Sequence, residues 1–189
     1  MSTLFPANYW TLAMAVVVPA TVYASIIDYR ERRVPNWLNA ALAALGLAAQ
    51  FGYGGAEGLW RSLGGLLIGF GVLIVPWLMH AMGAGDVKLM AAIGAWFGPQ
   101  LTLMSFVLGA LIGGVIGVII ILVGGKRQQA LANFGTILHK CFGRGTAFSE
   151  FGSVRSFGTT TTLLPYGIPL TIGSLMVLGA RYLEWSVVL

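Results

Sequence analysis

The sequence contains few of the side chains on which metalloenzymes and disulfide-bonded proteins depend. Only 9% of its 189 residues are charged, and it has one cysteine and two histidines. A single cysteine excludes an internal disulfide and any CxxC zinc site, and neither histidine belongs to an HExxH motif. We therefore expect no bound metal and no cofactor.

The residues that are abundant are apolar. Hydrophobic residues make up 57% of the chain, and the mean hydropathy is +0.84. These values are typical of polytopic membrane proteins, and 27 glycines favour helices that pack closely through small residues. We predict an all-α fold, a single integral-membrane domain over residues 1–189, with membrane lipid as a partner and no nucleic acid.

Six apolar segments predict about six transmembrane helices. They cover approximately residues 9–27, 37–51, 59–80, 87–97, 101–123 and 163–183. The fourth holds only about eleven residues between Asp86 and Gly98, too few to cross a bilayer at about 1.5 Å per residue. One end of this helix should therefore lie below the membrane surface, where irregular backbone lines a cavity.

Lysine and arginine are distributed asymmetrically about these helices. If both termini lie outside, nine of the eleven are inside and two, Arg61 and Arg181, are outside. Positive charge concentrates on the inner side of membrane proteins, so this arrangement predicts that both termini lie outside. The nine are Arg30, Arg32, Arg33, Lys88, Lys126, Arg127, Lys140, Arg144 and Arg155.

The one long polar connection covers about residues 124–162 and is predicted to be a cytoplasmic loop. Within it, Leu131, Phe134, Leu138 and Cys141 recur at spacings of three and four among basic residues. This pattern predicts an amphipathic helix that lies on an anionic membrane surface.

The chain has only two aspartates, Asp28 and Asp86, and the predicted topology brings both to the inner side. A carboxylate at mid-membrane costs roughly 2.5–3.5 kcal/mol on insertion scales, and such residues usually mark function. Two structural alternatives stay open. Asp86 is also suited to cap the helix that follows it, and Asp28 to pair with Arg30 or Arg32.

Two carboxylates that share a site cannot both ionise easily, so they hold one proton between them. One is then a general base for water, and the other, protonated, polarises a carbonyl. This chemistry hydrolyses a peptide bond without metal or covalent intermediate. The sequence offers no Ser-His-Asp arrangement and no P-loop as a competing site.

The sequence around both aspartates resembles the type IV prepilin peptidases. Gly83, Gly85, Asp86 and Lys88 read GxGDxK, and the segment of Asp28, Arg30, Arg33, Pro35 and Asn36 resembles the family's first motif. The PYGIP sequence at 165–169 also looks like that family. The greatest likeness is to short enzymes of tight-adherence (Tad/Flp-type) pilus systems. The resemblance implies that Asp28 and Asp86 are the catalytic pair of a GxGD aspartyl protease.

The resemblance also implies a substrate and a location. The substrate would be a prepilin or prepilin-like protein, cut after its short basic leader at the cytoplasmic face of the bacterial inner membrane. Glu31 and Glu150 are candidate contacts for that leader. Lys88 is suited to three roles: to act electrostatically on the two acids, to position the backbone of its motif, or to extend its ammonium group to the membrane surface. The paired CxxC motifs of larger bifunctional members are absent, so N-methylation of the pilin is left open.

Two alternative functions remain at this point. A small transporter or channel component would use the acids as ion or proton ligands. A presenilin-like protease, which shares the GxGD motif, would cut inside a transmembrane helix. A cleavage assay distinguishes a transporter, which cuts nothing, from a peptidase. The position of the cut distinguishes a presenilin-like protease from a prepilin peptidase.

Overall fold

All regular structure in the part of the chain that is described is helical, as predicted. The computed structural model describes residues 6–31, 34–78, 82–123 and 167–188. Its helices are α1 (Ala7–Glu31), α2 (Asn36–Leu78), α3 (Ala84–Val123) and α4 (Gly167–Val188). The first three are long and apolar enough to cross a membrane. The predicted amphipathic helix and the whole 124–162 loop lie outside the described residues.

Two of the helices are interrupted by a glycine. Gly55 breaks α2 with φ 57° and ψ −144°, and Gly98 breaks α3 with φ 73° and ψ 176°. Positive φ strains residues that carry a Cβ, and Pro99 removes a backbone donor directly after the second break. Each helix thus has two arms, 36–54 and 56–78 in α2, and 84–97 and 99–123 in α3. The described residues therefore contain six helical segments. In order and approximate sequence position these correspond to the six predicted apolar segments.

The helix boundaries differ from prediction at several points; α4, for example, reaches Val188, five residues beyond the predicted end at 183. The connection between the predicted segments 37–51 and 59–80 is narrower than seven residues, because helical backbone reaches Gly55 from both sides. The first helix continues past Ile27 to Glu31, so Asp28 lies within its last turn. The beginning of the predicted sixth helix, 163–166, is outside the described residues.

The chain forms two compact units, Met1–Gly113 together with Pro165–Leu189, and Gly114–Leu164. Of the second unit the structure describes only residues 114–123, the end of α3. Every contact that follows belongs to the first unit.

The first arm of α3 forms the core of this unit. Every residue from Leu89 to Gly98 is buried, as expected for a helix that is apolar on all sides. With 14 residues this arm is about 21 Å long, shorter than the roughly 30 Å of hydrocarbon in a bilayer. The second arm of α2 approaches it closely at Gly65 and Gly94, where a Cβ on either residue would collide with the other's carbonyl oxygen.

Polar side chains satisfy the carbonyls at the end of this short arm. Gln50 donates from Nε2 to the carbonyls of Ala95 and Trp96, at 3.0 and 2.9 Å. The Ser62 hydroxyl donates to Ala95 at 2.6 Å, and the Tyr9 hydroxyl donates to Trp96. A helix end leaves carbonyls without intrahelical partners, and in lipid these need partners from the protein. The break in α3 is therefore compensated by α1 and both arms of α2.

Candidate active site

Three helix ends meet at the opposite end of this core. Asp28 lies in the last turn of α1, Asp86 in the first turn of α3, and Gly167 is the first residue of α4. Both acids are buried, with exposed fractions of 7% for Asp28 and 5% for Asp86. They are close enough for the charge of Asp28 to act on Asp86. The two aspartates thus come together, 58 positions apart in the sequence.

The backbone around Asp86 is fixed by the glycine that precedes α3. The Asp86 N–H donates to the carbonyl of Gly83 at 3.2 Å, and a Cβ on Gly83 would lie 3.5 Å from Asp86 Oδ2. The carboxylate occupies the first helical turn, where the helix dipole favours negative charge. Its Oδ1 atom is buried, and no hydrogen bond reaches it from the described residues. Such an oxygen is available to a water molecule or a substrate group.

Asp28 occupies the less favourable end of its own helix. A carboxylate in the last turn faces the negative end of the α1 dipole. However, α4 begins beside it, since a Cβ on Gly167 would lie 2.9 Å from Asp28 Oδ2. The partial positive charge at the start of α4 offsets this unfavourable interaction with the α1 dipole.

The second motif glycine allows the chain between α1 and α2 to lie against the start of α3. A Cβ on Gly85 would be 3.1 Å from both the Cβ and the backbone nitrogen of Val34, which is buried. The Asn39 amide donates to the Gly85 carbonyl at 3.4 Å. Pro35 is half-buried directly before α2. The two motifs are therefore packed against each other.

Lys88 belongs to this junction between the motifs. Its ammonium group donates to Asn36 Oδ1 at 2.8 Å, and both side chains are exposed. Of the three roles considered for Lys88, this contact favours positioning of the motif.

Of the two glutamates proposed for leader recognition, only Glu31 is among the described residues. Glu31 is exposed at the end of α1, three residues beyond Asp28. Glu150 lies outside the described residues, as do Arg32, Arg33 and Pro165. Within the described part of the chain, no group of three His, Cys, Asp or Glu side chains lies together as metal ligands.

Sequence reasoning missed the residues that hold α4 against α1. The hydroxyls of Ser25 and Thr171 lie 2.7 Å apart, and Ser25 also donates to the Gly167 carbonyl at 3.4 Å. Hydroxyl residues in apolar helices commonly bond across helix interfaces, so their presence was a usable signal. Their partners could not be read from the sequence.

Comparisons with known proteins bear on the same region. The sequence pattern of the type IV leader peptidase family matches residues 15–118, more than half of the chain. The match includes both aspartates and the break at Gly98, and it does not include α4.

Several curated proteins are similar over this region. The prepilin leader peptidase/N-methyltransferase of Pseudomonas aeruginosa is 33% identical over 137 residues, which cover 67% of this chain and 46% of that protein. The protein of the same name from Escherichia coli K12 is 39% identical over 98 residues, covering 48% of this chain and 43% of that protein. The type 4 prepilin-like proteins leader peptide-processing enzyme of E. coli O78:H11 is 29% identical over 144 residues, covering 72% and 52%. The chain thus spans about half the length of these relatives, and no solved structure gives a significant match.

Proposed function

Because this chain belongs to the type IV leader peptidase family, we propose that it is an aspartyl endopeptidase that removes the basic leader of a prepilin or prepilin-like protein. Cleavage takes place at the cytoplasmic face of the bacterial inner membrane, just before the hydrophobic helix of the substrate. The proposal extends to this shorter chain the leader processing named for its relatives.

One observation carries this proposal. The only two aspartates of the chain are both buried, with Asp28 beside the start of α4 and close enough to Asp86 for its charge to act there. Buried carboxylates are costly unless they are paired or used. Two of them in one site suit acid and base chemistry in which the pair holds a single proton.

The hydrolysis requires only water and this pair of acids. The ionised carboxylate removes a proton from water, and the water oxygen forms a bond to the carbonyl carbon of the scissile peptide. The protonated carboxyl group donates to the carbonyl oxygen, which becomes the hydroxyl of a tetrahedral intermediate. When the carbon–nitrogen bond breaks, the base returns its proton to the leaving amine. The hydroxyl proton returns to its original carboxyl group as the carbonyl re-forms.

The leader would lie near Glu31. This carboxylate is exposed close to Asp28, so it is available to a lysine or arginine of the leader. An exposed ion pair contributes only about 0.2–1 kcal/mol. Glu31 therefore orients the leader and adds little affinity.

We propose six transmembrane segments with both termini outside, so that the acids face the cytoplasm. The sequence supports this arrangement, because it places nine lysines and arginines inside and two outside. Arg30 and Lys88 lie on the helix ends that carry the acids. At the other end, the Arg181 guanidinium lies 5.7 Å from the Trp10 ring, and a Cβ on Gly98 would lie 3.7 Å from Arg61 Nε. The described cations thus fall two at each end, and the excess inside that the positive-inside rule requires comes from the seven inner lysines and arginines that lie outside the described residues.

The test is a cleavage assay with the purified protein. Wild type, Asp28→Asn, Asp86→Asn and Glu57→Gln are each incubated with a prepilin that carries a basic leader, and the size shift is read on a gel. Glu57 is an exposed acid near the Gly55 break, so its variant controls for the loss of one carboxylate. Wild type and Glu57→Gln should remove the leader, and each aspartate variant should not.

The position of the cut separates the neighbouring possibilities. N-terminal sequencing of the product should place it at the junction between the leader and the hydrophobic helix. A cut inside that helix would identify a presenilin-like protease instead. A well-folded wild-type protein that cuts nothing would contradict the proposal.

A further inference from the structure

The start of α4 lies against Asp28, so a side chain at residue 167 fits only if the Asp28 carboxylate moves. A Cβ on Gly167 would lie 2.9 Å from Asp28 Oδ2, 3.4 Å from its Cγ and 3.5 Å from its Cβ. We propose that Gly167 is a positioning residue, whose missing side chain sets the orientation of the Asp28 carboxylate. This inference rests on the proposed function, and it concerns a helix outside the family match.

The helix that carries Gly167 is held against α1 by hydrogen bonds one turn away. The Ser25 and Thr171 hydroxyls lie 2.7 Å apart, and Ser25 also donates to the Gly167 carbonyl at 3.4 Å. Thr171 Oγ1 also lies 3.4 Å from the Thr21 carbonyl oxygen. Because each hydroxyl has one proton to donate, the two side chains make two of these three hydrogen bonds at a time. These contacts fix the first turn of α4 next to the turn of α1 that contains Asp28.

The other side of α4 is also packed closely. A Cβ on Gly109 would lie 3.2 Å from the Cα of Leu170 and 3.2 Å from the Pro169 carbonyl oxygen. Because neighbours hold α4 on two sides, the helix has little freedom to move away from Asp28. A methyl group at residue 167 would therefore displace the carboxylate, which is the mobile end of a side chain.

The fold itself should tolerate that methyl group. Gly167 is not among the glycines with positive φ, so alanine fits its backbone conformation, and alanine has the highest helix propensity. Its effect would fall on the reaction, since a misplacement of about 1 Å costs on the order of 100-fold in rate. Gly167→Ala should therefore separate stability from activity.

The experiment compares Gly167→Ala with Gly179→Ala in the purified full-length enzyme. Gly179 lies in the same helix, and a Cβ there would meet nothing within 4 Å. With a prepilin substrate, Gly167→Ala should lower kcat by about 10- to 100-fold with little change in KM or in the thermal unfolding midpoint. Gly179→Ala should match wild type in all three. A kcat for Gly167→Ala within about twofold of the control would overturn the inference.

A second measurement does not depend on cleavage. Carboxyl groups are labelled with a water-soluble carbodiimide and an amine, and the modified fraction of Asp28 is followed by mass spectrometry. Displacement from α4 should make Asp28 react faster in Gly167→Ala than in Gly179→Ala, and equal rates would contradict the inference. If wild type cleaves no prepilin, the proposed function fails, and this labelling still decides whether residue 167 sets the position of Asp28.

Discussion

The ammonium group of Lys88 lies 2.8 Å from the side-chain oxygen of Asn36, which joins the start of α3 to the start of α2. Each residue belongs to one of the two aspartate motifs, at positions 52 apart in the sequence. The bond lies at the surface, while the acids that it flanks are buried. It therefore ties the two motif segments together from outside the site.

Removal of this bond should reduce activity moderately. Lys88→Met keeps the length of the side chain and removes its donors, and Asn36→Ala removes the acceptor. Exposed interactions of this kind contribute about 0.2–1 kcal/mol, so each variant should lose up to about fivefold in kcat/KM. The measurement is a comparison of kcat/KM for both single variants and the double variant. If the bond is the cause, the double variant should lose no more than either single one; additive losses would argue for separate roles.

The side chains that satisfy the end of the short arm of α3 should be needed for stability. Gln50→Leu preserves approximate volume and removes the donor that reaches Ala95 and Trp96. We expect a loss of about 1–2 kcal/mol in unfolding free energy, seen as a lower thermal midpoint in detergent. Gln100→Leu is the matched control, because Gln100 is exposed just past the break. Equal midpoints for the two variants would contradict the capping role.

The breaks in the helices were predictable because their local chemistry is distinctive. Gly55 lies in a glycine-rich stretch, where the backbone is free to adopt positive φ. Gly98 has the same freedom and also precedes a proline, which lacks a backbone donor. The prediction that both acids lie on the same side of the membrane followed from the two apolar segments, 37–51 and 59–80, that separate them in the sequence. Each of these predictions used only neighbouring residues or a count of apolar segments.

The contacts that shape the site depend on long-range packing, which a single sequence does not specify. Gln50 and Ser62 were recognisable as polar residues in apolar helices, but not as partners of the Ala95 carbonyl. Likewise, the PYGIP sequence was noticed, while the closeness of Gly167 to Asp28 depends on how α4 packs on α1. The catalytic roles of the acids and the nature of the 124–162 loop stay predictions.

Cysteine labelling should test the proposed topology. In a Cys141→Ser background, a cysteine is introduced at Glu57, near the Gly55 break, or at Tyr29, next to Asp28; both positions are exposed. A membrane-impermeant maleimide should label Glu57→Cys in spheroplasts and Tyr29→Cys only in inverted vesicles. Cys141 itself, which lies outside the described residues, should behave like Tyr29→Cys. Labelling of Tyr29→Cys from outside would reverse the proposed orientation.

The pair of acids should act as one unit in its response to pH and to mutation. Activity requires one carboxylate that is ionised and one that is protonated. It should fall at low pH as the base gains its proton and at high pH as the acid loses its own, and the two apparent pKa values of this profile belong to the pair. Rates of leader removal measured between mildly acidic and alkaline pH should therefore trace a bell, and a flat profile would argue against a shared proton.

The same dependence makes the two mutations non-additive. Asp28→Asn and Asp86→Asn each remove one of two roles that a single carboxylate cannot fill together, so each should reduce cleavage to background. The double variant should be no worse than either single variant, since residues that act as a unit do not contribute separately. Insertion and folding should persist, because a neutral amide costs less in the membrane than a carboxylate, and circular dichroism would check this. Partial activity in both single variants, with a further loss in the double, would mean that the acids act independently and not as a dyad.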